Sequence, residues 1–172
     1  MHQLESLIRA IPDFPKPGIL YRDITPLLAD PDALAIAVRA LAEPFRGREI
    51  QGVAGIEARG FIFGCLVARE LSASFVPIRK PGKLPYRKVS ESYTLEYGVG
   101  TIDMHVDALT AGDRVLVVDD LIATGGTAAA SCTLVERLGG EVAGCCFVVE
   151  LVGLEGRARL DGRDVHTLLR FD

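Results

Sequence analysis

Residues 115–127 read VLVVDDLIATGGT, and no other stretch limits the fold of this chain more tightly. Four aliphatic side chains, Val115 to Val118, run directly into Asp119 and Asp120. A loop of small and hydroxyl residues follows: Ala123, Thr124, Gly125, Gly126 and Thr127. A continuous apolar run of this length reads as a buried strand of a parallel sheet. Carboxylates at the mouth of a core cost desolvation free energy unless a donor or a cation meets them. In an open parallel sheet, ligands bind beyond the carboxyl ends of the strands, where these acids fall. Glycines let the following loop fold tightly and turn several N–H groups toward one anion, and a helix N-terminus adds positive potential. The pattern therefore predicts a phosphate cradle next to a carboxylate shelf, a pair of sites that suits a sugar phosphate. Read without that chemistry, the same residues make a tight strand-to-helix turn with two solvated acids. The segment is neither a GxxxxGK[ST] loop nor a GxGxxG turn, so nucleoside-triphosphate and dinucleotide motifs are set aside.

The rest of the chain predicts an α/β architecture with a mostly parallel sheet. Leu4, Leu7, Ile8 and Ile11 recur at helical spacing and predict an amphipathic N-terminal helix. PDFPKPG stops it. Asp30-Pro31 is a cap followed by a proline in the first turn, opening a helix through about Phe45. Strands are expected at 50–56, 74–79, 114–121, 141–151 and 164–170, with helices from Gly60 and from about Gly126 to Leu138. Residues 80–92 carry Lys80, Lys83, Arg87 and Lys88 with two prolines and no apolar period. They read as a polar loop longer than an idle connection. YTLEYG and GTIDMHV behind it are set to form a hairpin.

Composition removes several function classes. A net charge of −4 lacks the electrostatic footprint of a nucleic-acid binder. No apolar run approaches the roughly 18 residues of a membrane helix, and Glu5 and Arg9 interrupt any leader-like N-terminus. Cys65, Cys132, Cys145 and Cys146 lie among apolar residues without metal or redox spacing. They are expected as reduced, buried thiols, which points to the cytoplasm. His2, His105 and His166 are isolated and show no metal-ligand spacing.

VLVVDDLIATGGT resembles the signature by which type I phosphoribosyltransferases hold 5-phosphoribosyl-1-diphosphate (PRPP). FPKPGILYRDITPLL, GIEARGFIFG, IRKPGKLP, YTLEYG and VELVGLEGR extend the likeness to the adenine-using members of that family, over almost the whole chain. The resemblance implies a type I phosphoribosyltransferase fold in one domain, 1–172. Residues 1–30 would contribute a small base-binding hood, and 80–100 a flexible loop and hairpin. It implies purine salvage, adenine and PRPP giving AMP and pyrophosphate, by a homodimer without nucleic-acid or membrane partners. Mg²⁺ would come with the diphosphate, near Asp119 and Asp120, and not on a protein-built site. A member using another base such as xanthine, or a PRPP-binding regulator without catalysis, stays open as an alternative.

Site roles follow from the same resemblance. Asp119 and Asp120 would take the ribose 2- and 3-hydroxyls, and Ala123, Thr124, Gly125, Gly126 and Thr127 the 5-phosphate. Glu57, Ala58, Arg59 and Gly60 would form the turn that holds the diphosphate, with a cis peptide at Glu57-Ala58. Arg79, Lys80 and Lys83 would close over it, in part from a neighbouring subunit. A mobile cationic lid excludes water and meets the charge of a departing diphosphate. Glu96 would take the proton that purine N9 loses, and Tyr97 would pack over the site. Backbone groups around Leu20 and Arg22 would read adenine, with Tyr21 stacked on the ring. Adenine pairs an acceptor at N1 with a donor at N6, and 6-oxopurines reverse that pattern, leaving buried groups unpaired. The lysine with which 6-oxopurine enzymes meet the exocyclic oxygen has no counterpart in CCFVVELVGLEG.

Overall fold

A computed structural model describes residues 2–94 and 98–172. In chain order these form α1 (His2–Glu5), β1 (Arg9–Pro12), β2 (Leu20–Asp23), α2 (Thr25–Ala29), α3 (Pro31–Ala42), β3 (Gly52–Ile56) and α4 (Gly60–Leu71). They continue through β4 (Ser74–Ile78), β5 (Lys88–Thr94), β6 (Val99–His105), β7 (Arg114–Ile122), α5 (Gly126–Arg137), β8 (Glu141–Leu151) and β9 (Val165–Phe171). Five strands make one sheet in the order β4-β3-β7-β8-β9, and every neighbouring pair is parallel. Two antiparallel hairpins, β1-β2 and β5-β6, stand beside it.

The strands read as apolar because both faces of the sheet are covered. Val53, Leu116, Val118, Cys146 and Val148 face α3 and α4, in a core that Leu4, Ile8, Leu41 and Phe63 complete. Their neighbours Ala54, Val115, Val117, Cys145 and Phe147 face α5 and the β6 residues Ile102 and Met104. One-residue alternation along each strand thus feeds two separate cores. Pro77 is accommodated because β4 is an edge strand, where a missing N–H breaks no ladder bond.

The order of the strands also fixes where a ligand can enter. From β3 the chain crosses through α4 to β4 on one side, and from β7 it crosses through α5 to β8 on the other. The gap between the carboxyl ends of β3 and β7 is therefore a topological switch point. Pairing of β3 with β7 ends at Gly55–Val118, whereas β7 stays paired to β8 out to Ile122–Glu150. Asp119 and Asp120 lie in that gap, near the carboxyl end of β7, where the sequence placed them.

Three expectations are corrected. The N-terminal helix stops at Glu5, and residues 9–12 instead pair with 20–23, Ile11 opposite Tyr21. Leu4 and Ile8 still reach the core, so burial set the apolar spacing without a helix running through it. Lys88 to Ser92 belong to β5, because Lys88 meets the buried Asp103 and Ser90 Oγ donates to Asp103 Oδ1 at 2.6 Å. The loop proper is shorter. Cys65 is exposed on α4, unlike the other three cysteines. The predicted cap holds: Asp30 Oδ1 accepts from the amides of Asp32 and Ala33, both at 3.0 Å. Asp30→Ala should cost about 1 kcal/mol and lower the melting temperature by about 2–4 °C, with Asp30→Asn close to the parent; calorimetric scans of the three proteins check this.

Candidate active site

Three turns at the carboxyl edge of the sheet converge on the gap between β3 and β7. After β7, Gly125 takes a φ of 77°, a conformation open to glycine, and α5 begins at once. No side chain caps that helix, so its first-turn N–H groups are left to another acceptor. A cavity of about 100 Å³ is lined there by Asp119, Leu121 to Ala128, and Phe147. A second cavity, about 330 Å³, is lined by Glu57, Ala58, Arg59, Lys80, Asp119, Asp120 and Leu121. Asp119 and Leu121 are common to both, so a small amide-lined cradle opens onto a larger crevice rimmed by cations.

The β3–α4 turn is pressed against the acids. A Cβ on Gly60 would lie 2.6 Å from Asp119 Oδ1 and 3.0 Å from the Val118 carbonyl oxygen, so only glycine lets α4 start this close to β7. The Glu57–Ala58 peptide is cis, as the resemblance implied. Arg59 Nε donates to Asp120 Oδ2 at 2.5 Å, and its Nη1 donates to Tyr21 Oη at 2.8 Å. The guanidinium therefore links the β1-β2 hairpin to the carboxylate shelf. Glu57 Oε2 accepts from Arg79 Nε at 3.2 Å and from the Lys80 amide at 3.0 Å, which ties the end of β4 to the same turn.

The electrostatics follow from burial and partners. Burial pushes Asp119 well above the ordinary carboxylate range, and the adjacent Asp120 charge pushes the same way. Burial would pull Arg59 down, but its contact with Asp120 outweighs this and holds the guanidinium above its ordinary value. Glu57 is also penalised by burial, yet the Lys80 amide and the Arg79 guanidinium win and hold it low. The site thus presents one carboxyl poised toward its neutral form and two acids already engaged by arginines.

Several expected residues meet here. Asp119, Asp120, Glu57, Ala58, Arg59 and Lys80 line the crevice, and Ala123 to Thr127 line the cradle. Gly60 backs the shelf, and Arg79 reaches the site through Glu57. Lys83 is exposed in the loop, where its carbonyl accepts from Arg79 Nη1 at 3.2 Å, and it does not line the crevice. Leu20, Tyr21 and Arg22 lie together on β2, with the Arg22 guanidinium 4.2 Å from the centre of the Phe171 ring. Glu96 and Tyr97 lie outside the described residues. Sequence reasoning missed Leu121, Ile122 and Phe147 as lining. It also missed Gly156, whose main chain packs on Ala123 and Gly125; the only signal for it was the glycine in VELVGLEGR.

Residues 24–167 match the family model for the phosphoribosyl transferase domain. An adenine phosphoribosyltransferase from Methylococcus capsulatus is 63% identical, over 99% of this chain and 100% of the relative. The chain belongs to the adenine phosphoribosyltransferase family. Among solved members, the Rhodothermus marinus enzyme superposes with a TM-score of 0.95 at 57% identity, covering 99% of this chain and 97% of that one. The Saccharomyces cerevisiae enzyme, solved with an imino-altritol bisphosphate and adenine, gives 0.92 at 40% identity, covering 98% and 97%.

The upward displacement of Asp119 has a signed consequence. Its carboxyl is neutral in both folded and unfolded protein below its ordinary value of 3.8. As pH rises through and above that value, the unfolded chain loses the proton first and stability falls. Asp119→Asn should therefore melt above the parent at pH 7, with the gap closing as pH falls toward 3; a gap that widens in acid would show the opposite sign.

Proposed function

We propose that this chain transfers the 5-phosphoribosyl group from PRPP to N9 of adenine, releasing pyrophosphate and forming AMP. One observation carries the reading: an amide-lined cradle and a cation-rimmed crevice adjoin at the half-buried Asp119. That spacing suits one ligand with a terminal phosphate, a hydroxylated ring and a second, more highly charged anion. The yeast relative was solved with adenine and an imino-altritol bisphosphate, two ligands of the required kinds.

In this reading Ala123 to Thr127 take the 5-phosphate, and Asp119 and Asp120 the ribose hydroxyls. The turn Glu57 to Gly60 and the cations Arg59, Arg79, Lys80 and Lys83 serve the diphosphate. Arg59 would leave Asp120 as ribose hydroxyls replace it, and follow the negative charge that develops on the leaving group. Tyr21 offers its ring to adenine between the main-chain groups of Leu20 and Arg22, which read N1 and N6. Glu96 is assigned the N9 proton and Tyr97 a place over the site. Residues 1–30 act as hood and 80–100 as loop and hairpin of one domain.

No three His, Cys, Asp or Glu side chains converge on a metal position among the described residues. Asp119 and Asp120 are hard oxygen donors in the right place to meet Mg²⁺ that arrives on the diphosphate. That ion would neutralise part of the leaving group's charge.

We assign the homodimer contact to the apolar groove between α3 and α4, about 340 Å³, where Leu34, Val38 and Leu66 lie beside Arg39, Arg69 and Glu70. Leu66 is more than one-third exposed in this groove, and a mixed-charge rim can complement its own copy across a two-fold axis. Four unpaired thiols support the cytoplasmic assignment.

Product formation with adenine, hypoxanthine, guanine and xanthine in parallel tests the base assignment, and AMP should dominate. Asp120→Asn should raise the KM for PRPP about tenfold or more while leaving the melting temperature within a few degrees; unchanged kinetics would remove the ribose assignment. In sedimentation, Leu66→Glu should run as a monomer where the parent runs as a dimer.

A further inference from the structure

Behind the phosphate cradle lies a second ion-pair cluster that the reaction does not touch. Glu150, at the end of β8, is only 5% exposed. Arg157 grips it with two bonds, Nε to Oε1 at 3.1 Å and Nη2 to Oε2 at 2.7 Å. Thr167 Oγ1 donates to Glu150 Oε2 at 2.9 Å, and Arg170 Nε lies 3.4 Å from the same oxygen. The remaining arm of Arg157 donates from Nη1 to the Val165 carbonyl at 2.7 Å. A planar guanidinium held at both ends in this way has one orientation.

The residue before that arginine is Gly156, and it touches the cradle through main chain alone. A Cβ on Gly156 would lie 2.1 Å from the Ala123 carbonyl oxygen and 2.9 Å from the Gly125 nitrogen. A Cβ on Gly125 would lie 2.2 Å from the Gly156 carbonyl oxygen. Glu155, at a φ of 52°, turns the chain into this contact, and the buried Leu160 anchors its far end in the core shared with Ala128 of α5. No side chain fits between the two loops. Where Gly156 sits, the amides of 123–127 must follow.

We propose that Glu150 and Arg157 are positioning residues for the cradle: their pairing sets Gly156, and Gly156 sets the geometry in which the loop amides meet the 5-phosphate. The inference rests on the assignment of Ala123 to Thr127 to that phosphate. A purely structural ion pair would weaken all ligands together when disturbed. A positioning pair weakens only the ligand held by the loop it braces.

The test compares calorimetric binding of ribose 5-phosphate with that of inorganic pyrophosphate, together with the KM values for PRPP and adenine. Arg157→Lys keeps the charge but loses the fork. It should weaken ribose 5-phosphate about tenfold or more, since displacements near 1 Å can cost as much as 100-fold, with pyrophosphate affinity and adenine KM within about twofold. Thr167→Val removes two hydrogen bonds, the one to Glu150 Oε2 and the one accepted from Arg157 Nη2 at 3.3 Å, and leaves the ion pair standing, so it guards against a folding failure. Its loss should be one-sided and about twofold to fivefold. Thr127→Val, in the loop itself, separates the two readings. If it leaves ribose 5-phosphate binding unchanged, the phosphate assignment fails. If it weakens binding while Arg157→Lys and Thr167→Val do not, or if those two weaken both ligands equally, the brace is overturned.

Discussion

Everything at the carboxyl edge depends on a carboxyl that the fold holds half-buried at a cost. Asp119 sits in the gap where β3 leaves β7, under a helix start that only Gly60 allows so close. Burial and the neighbouring Asp120 both oppose its charge. A sequence selected for stability alone would place a neutral or apolar residue there. Two acids side by side at a topological switch point, one held by the Asp120 amide and the other by Arg59, mark a place where a ligand's donors can replace those partners. The strain of the shelf and its use in binding are one fact, which is the usual relation between stability and function at such sites.

The architecture spreads this cost over two cores. The face toward α3 and α4 and the face toward α5 are each filled by alternate residues of the same strands. The sheet between them is fixed from both sides, and its loops inherit that rigidity. Sites mounted on such elements hold geometry better than sites on free loops. The glycine contacts extend the rigidity outward: Gly60 against β7, and Gly156 against Gly125, leave no space into which either turn could relax.

How much of this the sequence disclosed depended on the range of the interactions. The β7 signature was legible because apolar run, acids and glycine loop are contiguous, and the Asp30 cap was legible for the same reason. The β1-β2 hairpin was not, since the spacing of Leu4, Leu7, Ile8 and Ile11 fits a helix, and only pairing with Leu20 to Asp23 shows otherwise. Lys88 looked like one more loop cation until its partner, the buried Asp103 on the next strand, was in view. Arg59 was foreseen at the site, but not its simultaneous hold on Asp120 and Tyr21. The contact of Gly125 with Gly156 joins segments separated by a helix and a strand, and nothing local marks either glycine for the other.

The two halves of the crevice are built by different physics, and the difference fits the tasks proposed for them. On the β7–β8 side the cradle is main chain held by main chain, with its brace anchored on a buried carboxylate. On the β3–β4 side the groups facing the crevice are long cations resting on acids, Arg59 on Asp120 and Arg79 on Glu57, with the arginine side chains 45% and 33% exposed. Arg59 and Arg79 each hold their acid through one Nε bond, where Arg157 holds Glu150 through two. In the proposed reaction a rigid cradle would suit the 5-phosphate, which keeps its charge and place throughout transfer. Singly held cations would suit the diphosphate of that reaction, whose charge grows as its bond to the sugar breaks and which must afterwards depart.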